Sequence, residues 1–147
     1  MPDISTATAW PAFRDHASGW DLRAALSVPL FAGSGTAVAA LNLYGHDPAT
    51  MAPLIAGVLH AYESRDPVPG DVAASLDEGG AGLVGGLVGA FAVRAVIQQA
   101  IGVLIADAPT DTHRSAGAAY QVLRQRAAEK GTPLLDTATS VLAERDW

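Results

Sequence analysis

Apolar positions recur at helical spacing over one long stretch of the chain. Leu83, Leu87, Ala90, Arg94, Ile97, Ile101 and Leu104 fall at steps of 4, 3, 4, 3, 4 and 3, which lines them along one side of a helix as a packing seam. Such a seam serves equally for pairing with another helix, within or between chains, and for burial in a monomer core. Upstream, Trp10, Phe13 and Ala17, with Pro11 near the first turn, predict a short helix over residues 10–22 that Gly19 would end. Residues 25–31 and 37–44 are apolar runs of strand length, and Ala32-Gly33-Ser34-Gly35-Thr36 between them has the chemistry of a hairpin turn. In the second strand Val38, Ala40, Asn42 and Tyr44 share one face and Ala39, Leu41 and Leu43 the other. Both faces are partly apolar, which predicts cover on both sides.

Gly45-His46-Asp47-Pro48 breaks this strand, with Asp47 as N-cap and Pro48 as first residue of a helix reaching about Ser64. Its expected buried stripe is Met51, Leu54, Ile55, Val58, Leu59 and Tyr62. A loop over residues 65–72 follows, and the long helix begins near Ala73, or near Leu83 if its glycines fray. The six glycines over residues 79–89 cost about 1 kcal/mol each relative to alanine, so this part is expected to need packing partners to be helical. The helix should end near Asp107, where residues 108–112 combine a proline with three capping types. A second helix over 115–130 would turn Ala116, Ala119, Tyr120, Leu123 and Ala127 inward and stop at Gly131. A third, with Thr132 as N-cap and Pro133 as first residue, would run to about Arg145 and bury Leu134, Thr137, Ala138, Val141 and Leu142. Three such helices with short connections form a bundle.

Composition narrows the chemistry. Half of the 147 residues are apolar, enough for a packed core, and the absence of cysteine excludes disulfides, thiolate metal sites and cysteine nucleophiles. No secretory signal is visible at the start, and the longest uncharged apolar run, residues 79–93, is 15 residues, short of a bilayer span. The pairs Gly82 with Gly86 and Gly85 with Gly89 point to close helix packing. The net charge of −6 lies wholly in residues 1–93, which carry three basic residues against nine acidic, whereas residues 94–147 carry six of each. Only that second part is electrostatically tolerable to nucleic acid. His16, His46, His60 and His113 show no ligand spacing, no nucleophile or phosphate-loop motif is present, and neither an enzyme nor a cofactor or metal site is expected.

Two sets of residues carry a resemblance. Ile97-Gln98-Gln99-Ala100-Ile101-Gly102-Val103-Leu104, then Ala119-Tyr120 with Leu123-Arg124 and Ala127, then Leu134 with Asp136-Thr137-Ala138, resemble the ANTAR domain of bacterial antitermination regulators. Leu26-Ser27-Val28-Pro29-Leu30, Ala40-Leu41-Asn42-Leu43-Tyr44 and Pro48-Ala49 are similar to the second half of a GAF domain. The resemblance implies an α+β chain: a partial antiparallel GAF-like sheet with helices over residues 1–72, a connecting helix over 73–93, and an all-α three-helix ANTAR-like bundle over 94–147. The early strands that would close a GAF ligand pocket are missing, so no small-molecule ligand is expected.

The resemblance further implies a cytoplasmic homodimer, or a heterodimer with a relative, that binds two-hairpin RNA elements in nascent transcripts and prevents termination. The long helix would dimerise as a coiled coil through Leu83, Leu87, Ala90, Ile97, Ile101 and Leu104. Candidate RNA contacts are Arg94, Gln99, Tyr120, Arg124, Arg126 and Lys130, with Arg114 a further cation of this part. Arg126 and Lys130 share a helix face, while Arg124 stands about 200° from Arg126. Tyr120 has two readings, a base-stacking ring or a core ring, because it lies on the apolar stripe. The chain also departs from the family: Ile101 stands where a Lys is usual, and Gly131 and Pro133 where an Asn and a basic residue are usual. These departures open a second function, a protein interaction or heterodimerisation module that no longer binds RNA.

Overall fold

Capping residues and prolines set where most of the helices begin. The computed structural model describes residues 3–64, 66–108 and 115–145. A 3-10 turn, Ile4–Thr6, leads to α1 (Pro11–Gly19), shorter than expected but opened by Pro11 and closed at Gly19. The hairpin follows as β1 (Ala24–Phe31) and β2 (Ala37–Gly45), which form a two-stranded antiparallel sheet. Its ladder is bounded by Ala32 N–H donating to Thr36 O at 2.8 Å beside the turn and by Arg23 N–H donating to Gly45 O at 2.8 Å at the open end. The turn closes through Gly35 N–H to Ala32 O at 2.9 Å, and Gly35 takes a φ of 91°, where a Cβ would be strained.

Cover on both faces of β2 is not found. Ala37 to Ala40, Asn42 and Tyr44 are exposed, and only Leu41 and Leu43 are half-buried among its large apolar residues. Its alanines carry little apolar area, so their exposure costs little.

Asp47 caps α2 (Pro48–Glu63) as expected, accepting from the Thr50 hydroxyl at 2.7 Å and from Ala49 N–H at 2.9 Å. These bonds, the Thr50 one foremost, hold its carboxyl below the ordinary value of 3.8. The buried stripe of α2 is rotated from the expected one. Ile55, Gly57, Val58 and Ala61 are buried, whereas Leu59 is 47% and Tyr62 52% exposed. Small residues decide this, because a Cβ on Gly57 would stand 3.0 Å from Val84, so the glycine admits that side chain. The expected loop over 65–72 also contains the start of a short helix, α3 (Gly70–Ala74).

The long helix, α4 (Glu78–Ala106), begins under the Asp77 carboxylate, which accepts from Gly80 N–H at 2.7 Å. Its glycine-rich part packs through Val84 and Leu87, while most of its glycines face no close partner. A Cβ at Gly82, Gly85, Gly86 or Gly89 would meet open space, because this face turns outward while Val84 and Leu87 turn in. The helix is 29 residues long, and its most apolar segment has a mean hydropathy of 1.8 with 11% of positions buried. By length and composition alone it could cross a membrane, although the uncharged run within it is shorter and Arg94 interrupts the apolar sequence.

Ser115 caps α5 (Ala116–Lys130) through Ala118 N–H at 3.2 Å. Gly131, at a φ of 63°, ends it in a left-handed turn with Thr132 N–H bonded back to Ala127 O and Gly131 N–H to Ala128 O. Pro133, not Thr132, is the N-cap of α6 (Leu134–Ala143). The Thr132 hydroxyl meets that of buried Thr137 at 3.0 Å, and Thr137 also bonds to Pro133 O at 3.2 Å, so its polar atom is satisfied. The expected loop after Asp107 lies from residue 109 onward outside the described residues, as do Arg65, His113 and Arg114.

Packing groups these elements into two units: Met1–Leu30 with Ala39–Gly89, and Phe31–Val38 with Ala90–Trp147. This grouping cuts across the segment boundaries expected at 72/73 and 93/94, since α4 enters both units and the hairpin tip belongs to the second. The core of the second unit is Ala100, Ile101 and Leu104 of α4, Ala119 and Leu123 of α5, and Ala138 and Val141 of α6. Leu123, fully buried, contributes about 2 kcal/mol of apolar transfer.

Candidate nucleic-acid interface

Cations on α4 and α5 are set by the helical turn, so the bundle core fixes which of them face water. With Ala119, Leu123 and Ala127 inward, Arg124 and Lys130 are exposed on α5. Lys130 also occupies the last turn, where a cation is favoured by the helix dipole. Arg126 is half-buried at a cleft of about 380 Å³ whose lining includes Asp107, Glu144 and Arg145. Arg145 pairs with Asp107 at 3.2 Å across this cleft. Two cations and two carboxylates leave the cleft without net charge, which weakens its pull on a phosphate.

Arg94, at the centre of α4, is half-buried with its guanidinium carbon 3.8 Å from the centroid of the Phe31 ring. Its Nε is buried with no hydrogen-bond partner. Gln99 is exposed. The neighbouring Gln98, absent from the sequence-derived contacts, donates from Nε2 to Gly33 O at 2.8 Å. Tyr120 is half-buried and packs against the core cluster, with its ring in the space that a Cβ at Gly33 would occupy.

Arg94 and Tyr120 are therefore brought to the same hairpin tip, while Arg124, Arg126 and Lys130 lie along α5. Phe31, Gly33 and Gln98 were not found from the sequence, because Gly-Ser-Gly signals a turn without naming what the turn touches. The seam divides as well. Ile101, at 2% exposure, and Leu104, at 4%, are packed inside their own bundle, Leu87 is buried in the first unit, Leu83 and Ile97 are half-buried, and Ala90 is exposed. A coiled coil through Ile101 and Leu104 would have to draw on side chains that already form this core.

Residues 86–142 match the ANTAR domain. The match runs from the glycine-rich part of α4 to the end of α6 and takes in every residue of the buried core cluster. ANTAR domains are regulatory RNA-binding domains known for antitermination, not catalytic ones. The ANTAR match begins at Gly86, so the hairpin and the helices before α4 lie outside it. Comparison with curated proteins and with solved structures gives no match to the chain. Among the described residues no group of His, Asp and Glu is arranged to hold a metal ion.

Proposed function

We propose that this chain is an RNA-binding antitermination regulator of the ANTAR type, acting on hairpins in nascent transcripts. The observation that carries the reading is the ANTAR match over residues 86–142. Arg94, Arg124, Arg126 and Lys130 would hold phosphates, with Tyr120 and Gln99 at loop bases. A homodimer along α4, or a heterodimer with a relative, would present two bundles to paired hairpins. Leu83 and Ala90 are then the seam residues left for the contact, since Ile101 and Leu104 serve the bundle core and Ile97 packs against it. The first part would act in the cytoplasm as a GAF-like remnant supporting assembly, with no small-molecule ligand.

The test is binding of the full chain to a pool of two-hairpin RNAs at low salt. Weak binding that falls steeply with salt is expected, with Arg126→Ala and Lys130→Ala together lowering affinity about tenfold. No binding at low salt would sink the proposal.

A second reading, a heterodimerisation module that no longer binds RNA, is favoured by Ile101. The position where the family usually has Lys is 2% exposed here and apolar. Capture of a related chain from the native cell that persists after RNase treatment supports this reading. Capture that RNase abolishes supports the first.

A further inference from the structure

Phe31 and the turn after it pack with the bundle, although the sequence places them in a hairpin far upstream of it. Three contacts tie this tip to two helices. The Phe31 ring lies under the Arg94 guanidinium at 3.8 Å, Gly33 O accepts from Gln98 Nε2 at 2.8 Å, and the Gly33 backbone lies against the Tyr120 ring. Gln98 is one helical turn beyond Arg94 on α4, so the tip follows a single helix face.

Arg94 has no carboxylate within ion-pair distance among the described residues, and its charge is not neutralised there. A guanidinium stacked on an aromatic ring keeps N–H groups in its plane for an anion, and it loses less freedom on binding than a solvated one. An uncompensated cation over a ring, on a hairpin tip that also meets a second aromatic, suits a phosphate with a neighbouring base.

We propose that the hairpin tip is part of the RNA-binding surface, with Phe31 and Gly33 as positioning residues that hold Arg94 and Tyr120 for a phosphate and the base next to it. The inference rests on the RNA-binding reading and adds to it residues that lie outside the ANTAR match. Phe31 acts through Arg94, and Gly33 acts through Tyr120, because a side chain at Gly33 would overlap the ring and force the tip or the ring to shift.

The experiment measures binding of the full chain to the two-hairpin RNA pool over a range of salt, in Phe31→Leu, Phe31→Tyr, Gly33→Val and Arg94→Ala variants. Arg94→Ala is expected to lower affinity and to make the slope of log affinity against log salt shallower by about 0.8, the loss of one phosphate contact. Phe31→Leu, which keeps bulk and loses the ring face, is expected to lower affinity about fivefold and to cause no further loss once Arg94 is Ala. Phe31→Tyr should bind as the parent does, and Gly33→Val should weaken binding. Unchanged or tighter binding by Phe31→Leu overturns the inference while leaving the RNA reading intact, with tighter binding marking the tip as a cover. A parent chain that binds no RNA overturns both. Thermal unfolding of each variant separates a lost contact from a lost fold, and the salt slope is a readout that a purely structural role of Phe31 would not move.

Discussion

Leu123 is fully buried in a cluster with Ile101, Leu104, Val141 and three alanines, so removing its side chain beyond Cβ leaves a void in a packed core. Leu123→Ala is expected to destabilise the bundle by about 3 kcal/mol, measured by chemical denaturation followed at the helical signal. Asp47 shows a different kind of dependence. Its carboxyl is held below 3.8 by the Thr50 and Ala49 bonds, so its contribution is fully present above that pH and is lost as pH falls through the depressed folded value. Asp47→Asn keeps a capping oxygen, and the expected outcome is a helix start that survives with a weaker acid dependence in an unfolding titration. The cap was legible because Asp-Pro is a local signal. Tyr120 was legible only in part, since the stripe put its ring inward but gave no hint that a turn from elsewhere in the chain would reach it. Ile101 was legible as an apolar seam position, while the choice between its own bundle and a partner helix depended on contacts that spacing does not encode.

Among the elements, those with chemical punctuation at both ends were read closely. The α5 helix has Ser115 before it and Gly131 after it, and its observed span departs from the expected one by a single residue. The α3 helix has no side-chain cap and five residues, too few for any apolar period to mark it. The rotated stripe of α2 arose because Gly57 and Ala61 carry no hydropathic weight in a pattern yet permit the nearest approach. The glycine face of α4 leads to a prediction of its own. With open space at Gly86 and Gly89, changing both to Ala should stabilise the helix by about 0.5–1 kcal/mol each in the isolated chain, read from denaturant midpoints. If a partner helix approaches that face, the same double variant will raise stability and weaken association together.

At the scale of the whole molecule, α4 carries outward apolar positions that a second helix could cover. Val93, 39% exposed, lies among exposed Gly89, Ala90 and Ala92. Sedimentation equilibrium is expected to report a dimer that Val93→Glu dissociates without lowering the thermal midpoint of the monomer. The order of a strand hairpin followed by a long helix and further helices was legible from the change in period. The assignment of residues 31–38 was not, because a hairpin looks the same in sequence whichever unit its turn touches. That assignment bears on how the bundle would behave as a transplantable part. A gene fragment beginning at residue 86, where the family match starts, would encode α4 from its glycine face onward and leave behind the phenyl ring on which Arg94 rests. Such an excised bundle should keep its helices and still fall short of the intact chain, since the support for its central cation is inherited from a stretch that the fragment's own border discards.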